Sequence, residues 1–166
     1  AGFINDSKNI LLSSKYKTLI FDVETGSSRL LPLDSSSHSN PVVLSDSLLY
    51  TSMYSPGPAL IRYYCDSSSY DTIPLPDADY KRADYNSDSL FSNGVLSIAA
   101  AKDKSVLVDL STGSCRSINF IPEYVYWSSD SSFLAAAGSE LAYFSISGEQ
   151  LWTVSADTDI LAICIL

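Results

Sequence analysis

Apolar and polar positions along this chain fall into short alternations that return four times. In each repeat an apolar residue leads into a Ser/Asn/Asp turn. An apolar strand, a short polar hairpin, a second apolar strand and a second turn follow. The first turn reads Phe3-Ile4-Asn5-Asp6-Ser7, then Leu44-Ser45-Asp46-Ser47, Phe91-Ser92-Asn93-Gly94 and Trp127-Ser128-Ser129-Asp130-Ser131. The second reads Phe21-Asp22-Val23-Glu24-Thr25-Gly26, Tyr63-Tyr64-Cys65-Asp66-Ser67-Ser68, Val108-Asp109-Leu110-Ser111-Thr112-Gly113 and Phe144-Ser145-Ile146-Ser147-Gly148. Repeat starts at 3, 44, 91 and 127 are 41, 47 and 36 residues apart.

The alternation predicts strands over 9–13, 18–23 and 29–33 in the first repeat, and over 47–52, 60–65 and 72–75 in the second. The third repeat predicts 95–101, 105–110 and 116–121, and the fourth 133–137, 141–146 and 151–155. Ser97–Ala101 and Phe133–Ala137 are alanine-rich, but about five residues are too few for a stable helix, so both are assigned as strands. The segments 18–23, 60–65, 105–110 and 141–146 share their spacing to both turns, and are expected to be equivalent strands. Tyr63 and Tyr64 must point to opposite faces of one strand, so at most one is core.

A period of about 40 residues with four short strands per repeat is the signature of a β-propeller. The expected fold is all-β, with about four consecutive four-stranded blades at 1–33, 41–76, 89–121 and 124–156. Ile160–Leu166 is one more apolar run, where the first strand of a further blade belongs, and Phe3 has almost no strand before it. Unpaired blade edges are a liability. The segment is therefore expected to belong to a propeller of six to eight blades, its edges covered by remaining blades from the same or another chain.

Composition narrows the function classes. The chain has 166 residues, 46% of them hydrophobic and 17% charged, enough to bury a core and too apolar for a disordered tail. No run of 18 apolar residues exists, so no membrane span is expected, and Ala1–Asp6 shows neither the basic start nor the apolar core of a signal peptide. The net charge is −9 and the ten Lys and Arg form no cluster, which argues against direct nucleic-acid binding. The acidity suits solubility first and a basic protein partner second. Cys65, Cys115 and Cys164 have no paired spacing, which argues against zinc and a disulfide framework. Reduced, buried thiols and an intracellular, cytoplasmic setting are expected.

The repeats resemble WD-repeat propellers. Thr18–Gly26 and Ser105–Gly113 approximate the apolar-aromatic-Asp-apolar-x-Thr-Gly ending of a WD repeat, and Trp127–Ala135 resembles the Trp-Ser-Pro-Asp-Gly opening of many blades. No Trp-Asp dipeptide or Gly-His opening occurs, so the likeness is to divergent blades. Residues 127–146 also resemble the gating propellers of prolyl-oligopeptidase-type serine peptidases. Gly148-Glu149-Gln150-Leu151-Trp152 is similar to the outer strand of quinoprotein blades.

No catalytic constellation stands out. His38, the single histidine, sits in the polar loop Asp34–Asn40 and reads as an exposed loop residue, or else as a structural one between blades. There is no Gly-x-Ser-x-Gly elbow, phosphate loop, His-Glu-x-x-His or calcium loop. No cofactor and no metal are expected, and Asp77, Asp79, Asp84 and Asp88 lack a calcium loop's ordered ligand pattern. Trp127 and Trp152 read as packing residues. The connection 77–88 is the longest, and is expected to lie beside the Ser55–Pro58 turn. Its Asp77, Tyr80, Arg82, Asp84 and Tyr85 form the candidate protein-binding loop, because Tyr and Arg anchor interfaces. The expected function is a non-catalytic protein-interaction scaffold in a larger assembly; the alternative is the gating propeller of a peptidase.

Overall fold

The computed structural model describes residues 2–4, 9–13, 18–30, 42–44, 47–52, 57–64, 67, 69–76, 90–129 and 132–163. Among these, the only regular elements are strands, arranged as four four-stranded antiparallel sheets in sequence order. The chain forms two compact units, Ala1–Leu75 and Pro76–Leu166. In the first unit, sheet 1 holds β1 (Gly2–Ile4), β2 (Asn9–Ser13), β3 (Thr18–Asp22) and β4 (Ser28–Leu30). Sheet 2 holds β5 (Val42–Val43), β6 (Ser47–Ser52), β7 (Ala59–Tyr64) and β8 (Tyr70–Pro74). In the second unit, sheet 3 holds β9 (Leu90–Ser92), β10 (Leu96–Ala100), β11 (Ser105–Asp109) and β12 (Cys115–Ile118). Sheet 4 holds β13 (Tyr124–Ser129), β14 (Ser132–Ala137), β15 (Glu140–Ser145) and β16 (Gln150–Ser155).

The expected equivalence of the third strands is seen in β3, β7, β11 and β15. Each ends on a residue whose N–H donates across the following turn: Asp22 to Ser27 O, Tyr64 to Ser69 O, Asp109 to Ser114 O and Ser145 to Glu149 O, all at 2.9 Å. Side chains alternate across a strand, so these turn residues define two faces. The forward face carries the residue two before the turn residue, such as Ile20 or Leu107. The back face carries the residue just before it, such as Tyr63 or Phe144.

The cores follow one rule. In the first unit, forward-face Ile20 packs with Leu48, Tyr50, Ala59, Ile61 and Tyr63 of the back face of sheet 2. In the second unit, forward-face Leu96, Ile98, Leu107 and Ile118 of sheet 3 pack with back-face Phe133, Ala135, Ala142 and Phe144 of sheet 4. Phe133 and Phe144 stack at 5.1 Å, and Phe120 meets Phe144 edge-on at 5.7 Å. Each buried Leu, Ile or Phe among these contributes about 1.5–3 kcal/mol by leaving water. Ala99, Ala100, Ala101, Ala135 and Ala136 lie buried in or beside β10 and β14. These alanine runs are strands, as their length requires.

Gly148 shows how tightly two sheets meet. It turns β15 into β16 at φ +80, and a Cβ there would lie 3.0 Å from Ile118 Cγ2 and 3.5 Å from Leu107 Cδ2. Beside it, Arg116 Nη1 donates to Ser147 O at 3.3 Å. The third turn of sheet 4 is thus seated on the outer half of sheet 3.

At the first end, Phe3 lies in a three-residue strand: Gly2–Ile4 pairs with β2 through Phe3↔Ile10, so only Gly2 of it precedes Phe3. The further strand expected over 160–166 is not present over 160–163, which pair with no sheet edge among the described residues. Instead Ala156 and Ile160 N–H groups donate to Ser139 O (2.8 Å) and Gly138 O (2.7 Å), folding this stretch back on the β14–β15 hairpin. Cys164–Leu166 lie outside the described residues.

Candidate interaction surface

Several polar side chains in the described part of the chain brace turns. Asp22 Oδ1 accepts from Glu24 N (2.9 Å) and Thr25 N (2.8 Å). Asp109 Oδ1 accepts from Ser111 N (2.8 Å) and Thr112 N (3.1 Å). Both are Asx turns closed by a Thr-to-Ser side-chain bond, Thr25 with Ser27 and Thr112 with Ser114. The Ser111 hydroxyl, followed by the Ser111 N–H, holds the Asp109 carboxyl below its ordinary value. Asn93 does the same work between β9 and β10, accepting from Val95 N and Leu96 N.

Hydroxyls also tie second strands to third strands. Arg62 Nε donates to Ser47 Oγ at 3.0 Å, and its guanidinium lies 5.1 Å from the centre of the Tyr64 ring. Tyr143 donates to Ser132 Oγ at 2.8 Å. Tyr63 is buried while Tyr64 is half-buried and donates to Asp71 Oδ2, so one tyrosine of the pair is core, as alternation requires. Cys115 is half-buried in an outer strand, less enclosed than expected, and burial pushes its thiol pKa up. No group of three or more His, Cys, Asp or Glu that could hold a metal ion occurs among the described residues.

The candidate loop residues Asp77, Tyr80, Arg82, Asp84 and Tyr85 lie outside the described residues, as does His38. What is described is the root of the loop. Leu75 N–H donates to Pro58 O at 2.8 Å, so the chain leaves β8 beside the β6–β7 hairpin.

One surface was not foreseen. The forward face of sheet 4 carries Tyr124, Tyr126, Leu134, Tyr143, Trp152 and Val154, placed together by the pairs Tyr126↔Leu134, Leu134↔Tyr143 and Tyr143↔Trp152. Trp127 packs on Phe133 at 5.2 Å, as a packing residue should. Trp152 stacks on Tyr143 at 5.4 Å yet keeps 46% of its surface exposed, and Val154 keeps 52%. The signal was present in Leu151-Trp152-Thr153-Val154, where apolar residues stand at both parities of an outer strand.

No family model matches the sequence, and no curated protein does. Among solved structures, the chain is similar to one in a crystal structure of the mitotic checkpoint complex, with TM-score 0.69 and 12% identity over 97% of this chain and 53% of that one. It is similar to the tricorn protease, with TM-score 0.64 and 13% identity over 95% of this chain and 16% of that one. It is also similar to Kluyveromyces lactis Hsv2, with TM-score 0.61 and 11% identity over 99% of this chain and 51% of that one. These neighbours are propellers, and the fold of this chain is that of β-propeller blades. The chain spans about half the length of the first and third of these chains and a smaller part of the second.

Proposed function

We propose that the chain is a non-catalytic scaffold of divergent WD-repeat type, holding other proteins within a larger assembly. The observation that carries this reading is how the described polar groups are used: Asp22, Asn93, Asp109, Ser47 and Ser132 brace turns and strands. Aromatic surface, by contrast, is left available at Tyr124 and Trp152. The likeness to a chain of the mitotic checkpoint complex supports a place among protein partners. Acidity favours basic ones. The unpaired spacing of the three cysteines supports a cytoplasmic setting, and further blades from the same or another chain complete the ring.

The 77–88 connection is the proposed contact. Replacing Tyr80, Arg82 and Tyr85 together with Ala is expected to weaken capture of stoichiometric partners by roughly 2 kcal/mol or more while leaving the circular dichroism spectrum unchanged. Binding of every partner at wild-type strength would remove the loop from the interaction surface. The similarity to the tricorn protease favours a second reading, a propeller that gates a peptidase. Serine-inhibitor-sensitive peptidase activity in the full-length protein, with no stable partners, would decide for it.

A further inference from the structure

The outer strand of sheet 4 differs from the other three. The outer strands β4, β8 and β12 have 3, 5 and 4 residues, and each carries a charge, at Arg29, Asp71 and Arg116. β8 also closes on Pro74. Charges and prolines keep an edge strand from pairing with another chain. β16 has 6 residues, Gln-Leu-Trp-Thr-Val-Ser, with neither charge nor proline, and every one of them is exposed. Among the described residues, nothing pairs with its far side.

The ladder shows which backbone groups that side offers. A bulge at Leu151 separates Phe144↔Gln150 from Tyr143↔Trp152, and the register then runs unbroken to Glu140↔Ser155. Ala156 N–H donates inward to Ser139 O, so by antiparallel alternation Val154 and Trp152 also turn their backbone groups inward. Thr153 and Ser155 therefore turn theirs outward, and no described group takes them. Each offers one N–H and one C=O to an added strand. Exposed Trp152 and Val154 lie beside them on the forward face. The edge lies in the plane of the sheet, so it stays open whatever covers the faces.

Charge selects the occupant. From residue 117 to 166 the sequence has six Asp and Glu and no Lys, Arg or His, so this stretch holds −6 of the net charge of −9. Glu149 precedes β16, and Asp157 and Asp159 follow it, all exposed. Arg116 reaches the turn before β16 and donates to Ser147 O, which leaves the Asp157 end the more acidic. We infer that the outer edge of β16 takes up an extended basic segment of a partner protein, which joins sheet 4 as a fifth strand. Its alternate apolar residues lie beside Trp152 and Val154, and its Lys or Arg residues lie beside the carboxylates at the strand ends. The inference rests on the scaffold reading and adds a second contact to the 77–88 connection.

The test is fluorescence anisotropy of a labelled peptide, Lys-Arg-Val-Thr-Val-Thr-Val-Arg-Lys, titrated with the full-length protein. Saturable binding is expected. N-methylation at one alternate set of peptide amides should abolish it and at the other set should spare it, because only one edge of an added strand meets β16. Ser155→Pro removes an outward N–H without breaking a bond to β15, and is expected to weaken binding about 10-fold. Asp157→Asn combined with Asp159→Asn is expected to weaken it about 5-fold at low salt, and less as salt rises. Near-UV circular dichroism checks that the variants fold; should Ser155→Pro fail, the methylated peptides decide on the wild type. No saturable binding overturns the inference, as does binding that both methylated sets leave equal, which is attraction to net charge only. Self-association without peptide that Ser155→Pro abolishes gives the edge to a second copy, and overturns it too. Capture of stoichiometric partners is read alongside. Capture without peptide binding removes the edge and leaves the scaffold role standing, whereas peptide binding without any captured partner counts against the scaffold role alone.

Discussion

The contact at Gly148 can be measured as a free energy. Gly148→Ala carries two costs. Holding an L-residue at φ +80 costs roughly 1–2 kcal/mol. Forcing a methyl to within 3.0 Å of Ile118 Cγ2 and 3.5 Å of Leu107 Cδ2 adds an overpacking cost of roughly 1–3 kcal/mol. Both neighbours are fully enclosed, so neither can swing away. The sum is about 2–5 kcal/mol. Gly148→Asn separates the parts, because asparagine relieves most of the backbone cost and keeps the Cβ. Urea unfolding followed by tryptophan fluorescence is the assay: the chain has two tryptophans, Trp127 and Trp152, and both lie in the second unit. Ile118→Ala removes the Cγ2 methyl, and a double-mutant cycle with Gly148→Ala should show a coupling of about 1 kcal/mol or more. If Gly148→Ala costs no more than Gly148→Asn saves, or if the cycle shows no coupling, the turn is not seated on sheet 3 as described.

How far the sequence reached depended on whether a feature was local. The Asp22 and Asp109 turns were legible because an aspartate, two hydroxyls and a glycine close them within six residues, using no distant partner. The alanine runs were legible as strands because run length alone excludes a helix, and Ala99 and Ala135 then sit where sheets pack closely. The strand β1 was not legible. Three residues carry almost no alternation, and their state is decided by pairing with Asn9–Leu11. For 160–163 the apolar run was visible, but an apolar run becomes a strand only when a neighbour offers a ladder. The exposed aromatic face of sheet 4 was missed for a similar reason. Trp152 reads as a packing residue, yet 46% of its surface is exposed, because what covers a sheet face is not written in the strand itself. Function was least legible, since turn chemistry of this kind serves a propeller whatever it binds.

Two further outcomes test the polar braces. Tyr143→Phe removes the bond to Ser132 Oγ while keeping the ring against Trp152, and is expected to cost about 1 kcal/mol by the same tryptophan-monitored unfolding. A cost indistinguishable from zero would mean that stacking alone fixes the ring. For Asp109 the sign follows from the direction of its shift. The Ser111 hydroxyl and N–H, then Thr112, favour the ionised form, so the folded-state pKa lies below the ordinary aspartate value of 3.8. The unfolded chain therefore holds its proton more tightly than the folded one, and stability rises with pH across that interval. The stabilisation is complete above the ordinary value and is lost as pH falls through the lower folded one. Stability of the wild type and of Asp109→Asn, compared from neutral pH downward, should differ most at neutral pH and converge at the acid end of that window. Carboxyl chemical shifts give the folded midpoint directly. A midpoint at or above the ordinary value, or a difference between the two proteins that does not change with pH, would show that the Asp109 turn closes without using its charge.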